Sequence, residues 1–179
     1  NTVLPAITGT ARVGSTLTGT NGTWSGSPTF ARAWLADGVA ISGATGTTYV
    51  LKAAELGKVI TLRVTATNAA GNAQATSAAT AAVQAALAAP VNTAVPVVSG
   101  TPTVGQALTS TTGTWTGNPT PTYARAWLRD GTVIAGATAA SYTLVADDVD
   151  ANISVRVTGT NSQGNAVATS APVGPVVAA

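Results

Sequence analysis

The chain has 179 residues, 45% of them apolar and only 8% charged, with a formal net charge of +2. That length holds one large domain or two small ones, and so weak a charge excludes an electrostatic binder of nucleic acid or membrane surfaces. His, Cys and Met are absent, which removes disulfides, thiolate nucleophiles, imidazole bases and the common zinc ligands, so enzymatic chemistry is not expected. The lack of Met leads to the expectation of a chain processed or excised from a longer product. No apolar run approaches the roughly 18 residues of a membrane span.

In chain order the signals are those of strands and turns. Ser15–Thr20 alternates with period two and is rich in β-branched residues. Turn pairs follow at Asn21-Gly22 and Gly26-Ser27-Pro28, then a strand carrying Ala31-Arg32-Ala33-Trp34-Leu35, then Asp37-Gly38, a tight hairpin signal. Ser42-Gly43 marks another turn. Ile60–Thr65 alternates cleanly, with Ile60, Leu62 and Val64 expected inward and Thr61, Arg63 and Thr65 outward. After the Ala70-Gly71-Asn72 turn comes an Ala-rich stretch, Ala78–Ala89, whose propensity also permits a helix. Its first part, through Val83, reads as the last strand of the first half.

Everything then returns. Asn1-Thr2 through Gly22-Thr23-Trp24 recurs as Asn92-Thr93 through Gly113-Thr114-Trp115, and Ala31–Leu35 recurs as Ala124–Leu128. The register slips by two residues at the extra Pro121-Thr122. All the aromatics obey the duplication: Trp24, Phe30, Trp34 and Tyr49 match Trp115, Tyr123, Trp127 and Tyr142. Recurrence in both halves marks them as core and corner residues. A repeat of about 90 residues is long enough to bury its own core. Two domains are expected, at 1–84 and 92–179, joined by a short Ala/Pro linker over 85–91.

The assembled motifs resemble the tandem bacterial immunoglobulin-like repeats of phage virion and bacterial surface proteins. The residues that carry the resemblance are Val13-Gly14, Leu17, Gly22-Thr23-Trp24, Trp34-Leu35-x-Asp37-Gly38, Ile41-x-Gly43-Ala44-Thr45, Tyr49, Gly57, Val64-Thr65-x-Thr67-Asn68 and Gly71, nearly all repeated in the second copy. The resemblance implies an all-β fold of two tandem immunoglobulin-like β-sandwiches, with Trp34 and Trp127 as core tryptophans of the third strand and no need for a disulfide. It implies a structural or display module on a virion surface, a capsid or tail decoration making weak adhesive contacts with the host. The alternative is a stalk or adhesion repeat of a bacterial cell-surface or secreted protein. Expected partners are further copies or neighbouring surface proteins and cell-surface glycans; no cofactor, nucleic acid or membrane insertion is expected. Two departures stand out: Gly57 becomes Asp150, and Arg32 and Arg125 share parity with the inward tryptophans.

Candidate contact residues lie on the outer face of the sheet that holds Trp34. Strand parity places Leu35 and Arg63 there in the first copy and Leu128 and Arg156 in the second, among small side chains. Trp24 and Trp115, at strand ends, are the candidates for stacking on a sugar. Asp147, Asp148 and Asp150 are close enough in sequence to raise Ca²⁺ ligation, although the first copy has a single carboxylate there, Glu55, and an acidic solvated loop is the simpler expectation. The first copy carries a net +3 and the second −1, an asymmetry that fits either head-to-tail packing of copies or drift on exposed loops.

Overall fold

A computed structural model describes residues 1–179. The chain divides into two compact units, Asn1–Ala86 and Leu87–Ala179. Unit 1 contains β1 (Ala6–Thr8), β2 (Thr16–Thr20), β3 (Thr29–Ala36), β4 (Val39–Ala40), β5 (Thr48–Val50), β6 (Ile60–Asn68) and β7 (Gly71–Thr76). They form two antiparallel sheets, β1-β2-β5 and β4-β3-β6-β7. Unit 2 contains β8 (Ala88–Ala94), β9 (Val98–Ser99), β10 (Ala107–Ser110), β11 (Thr114–Asn118), β12 (Thr122–Arg129), β13 (Thr132–Val133), β14 (Ser141–Thr143), β15 (Ile153–Asn161) and β16 (Gly164–Thr169). Its sheets β9-β10-β14 and β13-β12-β15-β16 repeat those of unit 1, and a two-stranded ribbon, β8-β11, is added.

Alternation dictates the cores. In β6 the inward Ile60, Leu62 and Val64 are fully buried, and in β15 so are Ile153, Val155 and Val157. Each core closes around one tryptophan. Trp34 and Trp127 have no exposed surface, and their indole N–H groups donate to the carbonyls of Gly46 and Ala139, each at 3.0 Å. Such a bond lets a large ring be buried without an orphaned donor. Tyr49 and Tyr142 lie beside them, ring centroids 6.0 Å and 5.7 Å apart.

The Asp-Gly pairs form the tight turns between β3 and β4 and between β12 and β13, with Asp37 and Asp130 at φ of +48° and +46°. Short polar side chains tolerate that region. Each aspartate also accepts a backbone N–H across the loop, from Val59 at 3.0 Å and Asn152 at 2.9 Å. The departure at Asp150 leaves its turn unchanged. Gly57 and Asp150 have φ of +79° and +65°, and both amides donate to the last core segment, to Val83 and Val176, at 2.9 Å.

Two expectations are corrected. The last strand of unit 1 ends at Thr76; Val83 plugs the core as part of an irregular segment. The stretch expected as a linker, 85–91, is divided between the units, and Ala88–Val91 belong to β8, paired with β11. Alanine's helix propensity is worth a few tenths of a kcal/mol per residue, and tertiary pairing outweighs it here. Small side chains are what the site requires, because Pro90 and Ala89 lie directly over Gly117 and Gly164.

The two cores differ by a compensated exchange. A Cβ on Gly19 would come within 2.4 Å of Leu62 Cδ2 and 3.2 Å of the Trp34 ring. Unit 2 has Ser110 at the position of Gly19, and there Leu62 is replaced by the smaller Val155. Gly19→Ser alone is expected to overpack unit 1 and cost about 1–3 kcal/mol. Adding Leu62→Val should recover a large part of that loss, which a double-mutant cycle in urea measures.

Candidate binding cleft

The leucines among the residues expected on the outer sheet face are largely covered. Leu35 and Leu128 are each only 6% exposed, although neither belongs to the central core cluster. Leu35 stands opposite Thr61 and Ala40, and Leu128 opposite Ser154 and Val133. Cross-strand neighbours on one face lie close enough to shield a leucine, and parity alone does not register this. Of the other candidates on that face, Arg63 is half-buried and Arg156 is exposed. Arg32 and Arg125 are half-buried, with Nε enclosed and without a protein hydrogen-bond partner.

Trp24 and Trp115 are half-buried corner residues. Their indole N–H groups donate to Asn21 and Thr112 carbonyls at 2.7 Å. Trp24 packs on Phe30 with centroids 6.3 Å apart, and Trp115 on Tyr123 at 5.8 Å. Phe30 and Tyr123 are the more exposed partners.

The acidic loop divides. Asp147 and Asp150 are exposed, whereas Asp148 is completely buried. Its Oδ1 accepts from Arg129 Nε at 2.7 Å, and its Oδ2 accepts from the Tyr142 hydroxyl at 2.9 Å and the Val145 amide at 2.8 Å. The three aspartates do not converge as a ligand set, and no group of three or more acidic side chains does. Arg129 was missed from sequence. The available signal was a cation two positions after Trp127, on the inward parity, where unit 1 has Ala36. Without that cation, Glu55 in unit 1 holds only the Lys52 amide, at 2.7 Å. Burial, and next the facing carboxylate, push the phenol of Tyr142 above its ordinary pKa of 10.0, and burial followed by Glu55 does the same for Tyr49.

A cleft of about 220 Å³ opens beside Trp24. Asn1, Trp24 and Pro28 line one side, and Asn68, Gly71 and Asn72, at the β6–β7 turn, line the other. Its donors and acceptors are amides, carbonyls and a serine; it holds no ionisable side chain. The cleft is thus suited to binding by shape and hydrogen bonding, and it holds no acid–base pair.

Two facing sheets per unit, each closed on a third-strand tryptophan, decide the fold. Each unit is an immunoglobulin-like β-sandwich. No protein-family profile matches the chain, and no curated protein sequence is detectably similar to it. Similar solved structures include a chimeric titin Z1Z2-Z1Z2 tandem, at 22% identity and TM-score 0.33, covering 98% of this chain and 97% of that one. A Ca²⁺-stabilised adhesin of an Antarctic bacterium that binds ice has 11% identity and TM-score 0.48, with 98% of this chain matching 49% of it. The three N-terminal domains of the outer capsid protein Hoc of bacteriophage RB49 have 16% identity and TM-score 0.35, with 98% of this chain matching 59% of theirs. At these values the likeness concerns the fold alone. No helix of the chain is long and apolar enough to cross a membrane.

Two outcomes follow for these immunoglobulin-like units. Arg129→Met leaves Asp148 buried without its cation and is expected to cost about 3 kcal/mol or more in chemical denaturation. The raised tyrosine pKa values mean that folding favours the neutral phenol. The associated stability is full below about pH 10 and is lost as pH rises from there towards the folded-state values. A Tyr49→Phe/Tyr142→Phe variant should therefore show a flatter melting temperature between about pH 9 and 11 than the parent chain.

Proposed function

We propose that this chain is a non-enzymatic structural module that projects from a phage virion as a capsid or tail decoration. The observation that carries the reading is that its two buried carboxylates are committed to the scaffold. Glu55 and Asp148 hold the turns that begin at Lys52 and Val145. Ser77 and Ser170 accept the Leu62 and Val155 amides at 3.0 Å and 3.1 Å. The repeated aromatics fill corners and cores in both units. Duplication of such a scaffold multiplies surface, and weak contacts gain strength from multiplicity. The exterior setting rests on the resemblance of the repeated motifs to those of virion and bacterial surface proteins.

Gold-labelled antibodies raised against the chain are expected to decorate the outside of intact particles in electron micrographs. Label confined to a bacterial envelope would transfer the module to a cell-surface stalk, and label on neither would end the reading.

A further inference from the structure

The two units are built alike at the entry to their first strands. Asn1 Nδ2 donates to the Val3 and Thr23 carbonyls at 2.7 Å and 3.1 Å, and Asn92 Nδ2 to those of Ala94 and Thr114 at 2.8 Å and 3.1 Å. They differ in what lies beside the tryptophan corner. In unit 2, Val91 pairs with Thr116 and Ala88 with Asn118, which extends the β8-β11 ribbon past Trp115. Asn161 Nδ2 donates to the Ala88 carbonyl at 2.8 Å. Pro90 is buried, and its Cα lies 3.3 Å from where a Cβ on Gly117 would stand. Ala89 similarly covers Gly164.

In unit 1 the corresponding space is the cleft beside Trp24. Most of its lining side chains are identical to those under the β8 segment: Trp24, Pro28, Asn68, Gly71, Asn72 and Ala73 stand for Trp115, Pro119, Asn161, Gly164, Asn165 and Ala166. Ser25 and Ser27, at the positions of Thr116 and Asn118, pair with no strand. A Cβ on Gly71 would meet nothing within 4 Å. Asn68 Nδ2, whose counterpart holds the Ala88 carbonyl, donates to Gly26 O at 3.1 Å.

We propose that the cleft beside Trp24 is a strand-acceptor groove. Its occupant is an extended segment of small apolar residues and proline, of the Ala-Ala-Pro-Val kind, running antiparallel to Trp24–Ser27 and directly into Asn1. Main-chain pairing supplies affinity once Gly26 and Ser27, at φ of +79° and +47°, extend into an edge, and pockets for alternate side chains supply selectivity. Here the selectivity is for small size, because Gly71 and Trp24 leave room for Ala and Pro, while over Gly26 the Asn68 amide, 2.7 Å from where a Cβ would stand, has to turn aside. A segment so placed completes unit 1 with the ribbon that unit 2 already has. The groove accepts such a segment wherever the chain is displayed.

The test places Leu-Ala-Ala-Pro-Val ahead of Asn1 in the full chain and compares it with the unextended chain and with a Leu-Asp-Lys-Asp-Val extension. Amide hydrogen exchange by NMR is expected to slow at least tenfold within Ser25–Ser27 in the first extension only. The Asn68 side-chain amide and the Gly71 backbone resonances should shift with it. Asn68→Ala should reduce the rise in melting temperature that the first extension gives over its own unextended parent. Unchanged exchange and resonances in the extended chain would overturn the proposal, as would equal protection by the charged extension.

Discussion

A buried indole that must satisfy its own N–H sets the rest of each unit. Trp34 and Trp127 occupy the middle of their cores, and each donates to a carbonyl in the loop before the fifth-strand position, at Gly46 and Ala139. An unsatisfied donor at such depth would cost about 1–3 kcal/mol, so that loop is held at a fixed distance from the third strand. The strand after it then brings Tyr49 or Tyr142 against the indole, and the turn that follows carries Glu55 or Asp148. Sheet spacing, loop position and carboxylate placement all follow from one ring.

Around that constant frame the two copies diverge by linked exchanges. Ala36 and Glu55 in unit 1 correspond to Arg129 and Asp148 in unit 2. The shorter carboxylate gains a cation and a phenol, where the longer one caps only a turn. Ala66 beside Trp24 corresponds to Gly159, over which the Trp115 ring lies so closely that an added Cβ would stand 3.0 Å from it. The exchange of Gly19 and Leu62 for Ser110 and Val155 trades volume for volume, as close-packed interiors require.

Alternation and turn chemistry made much of this legible. Ile60, Leu62 and Val64 announce an inward face by period two, and Asp37-Gly38 and Asp130-Gly131 announce hairpins by their tolerance of positive φ. The unreadable parts depend on partners distant in sequence. Ala88–Val91 has the composition of a linker and becomes a strand because β11 and the glycine at the β15–β16 turn accept it. Leu35 and Leu128 follow the expected parity yet are shielded by their cross-strand neighbours. Asp148 sits in an acidic run and is buried because Arg129, far along the chain, reaches it. The candidate cleft carried one sequence signal, Trp24, and its shape becomes interpretable only beside the filled counterpart in unit 2.

The exchange of Gly19 and Leu62 for Ser110 and Val155 bears on how the molecule avoids error. Two near-copies on one polypeptide invite each half to capture the other's strands while folding. A β2 strand trapped against β15 would leave a hole where Gly19 meets Val155, and a β10 strand trapped against β6 would force Ser110 into Leu62. A strand paired across the halves thus meets either a void or a clash at this one point of the core, and both carry a packing cost.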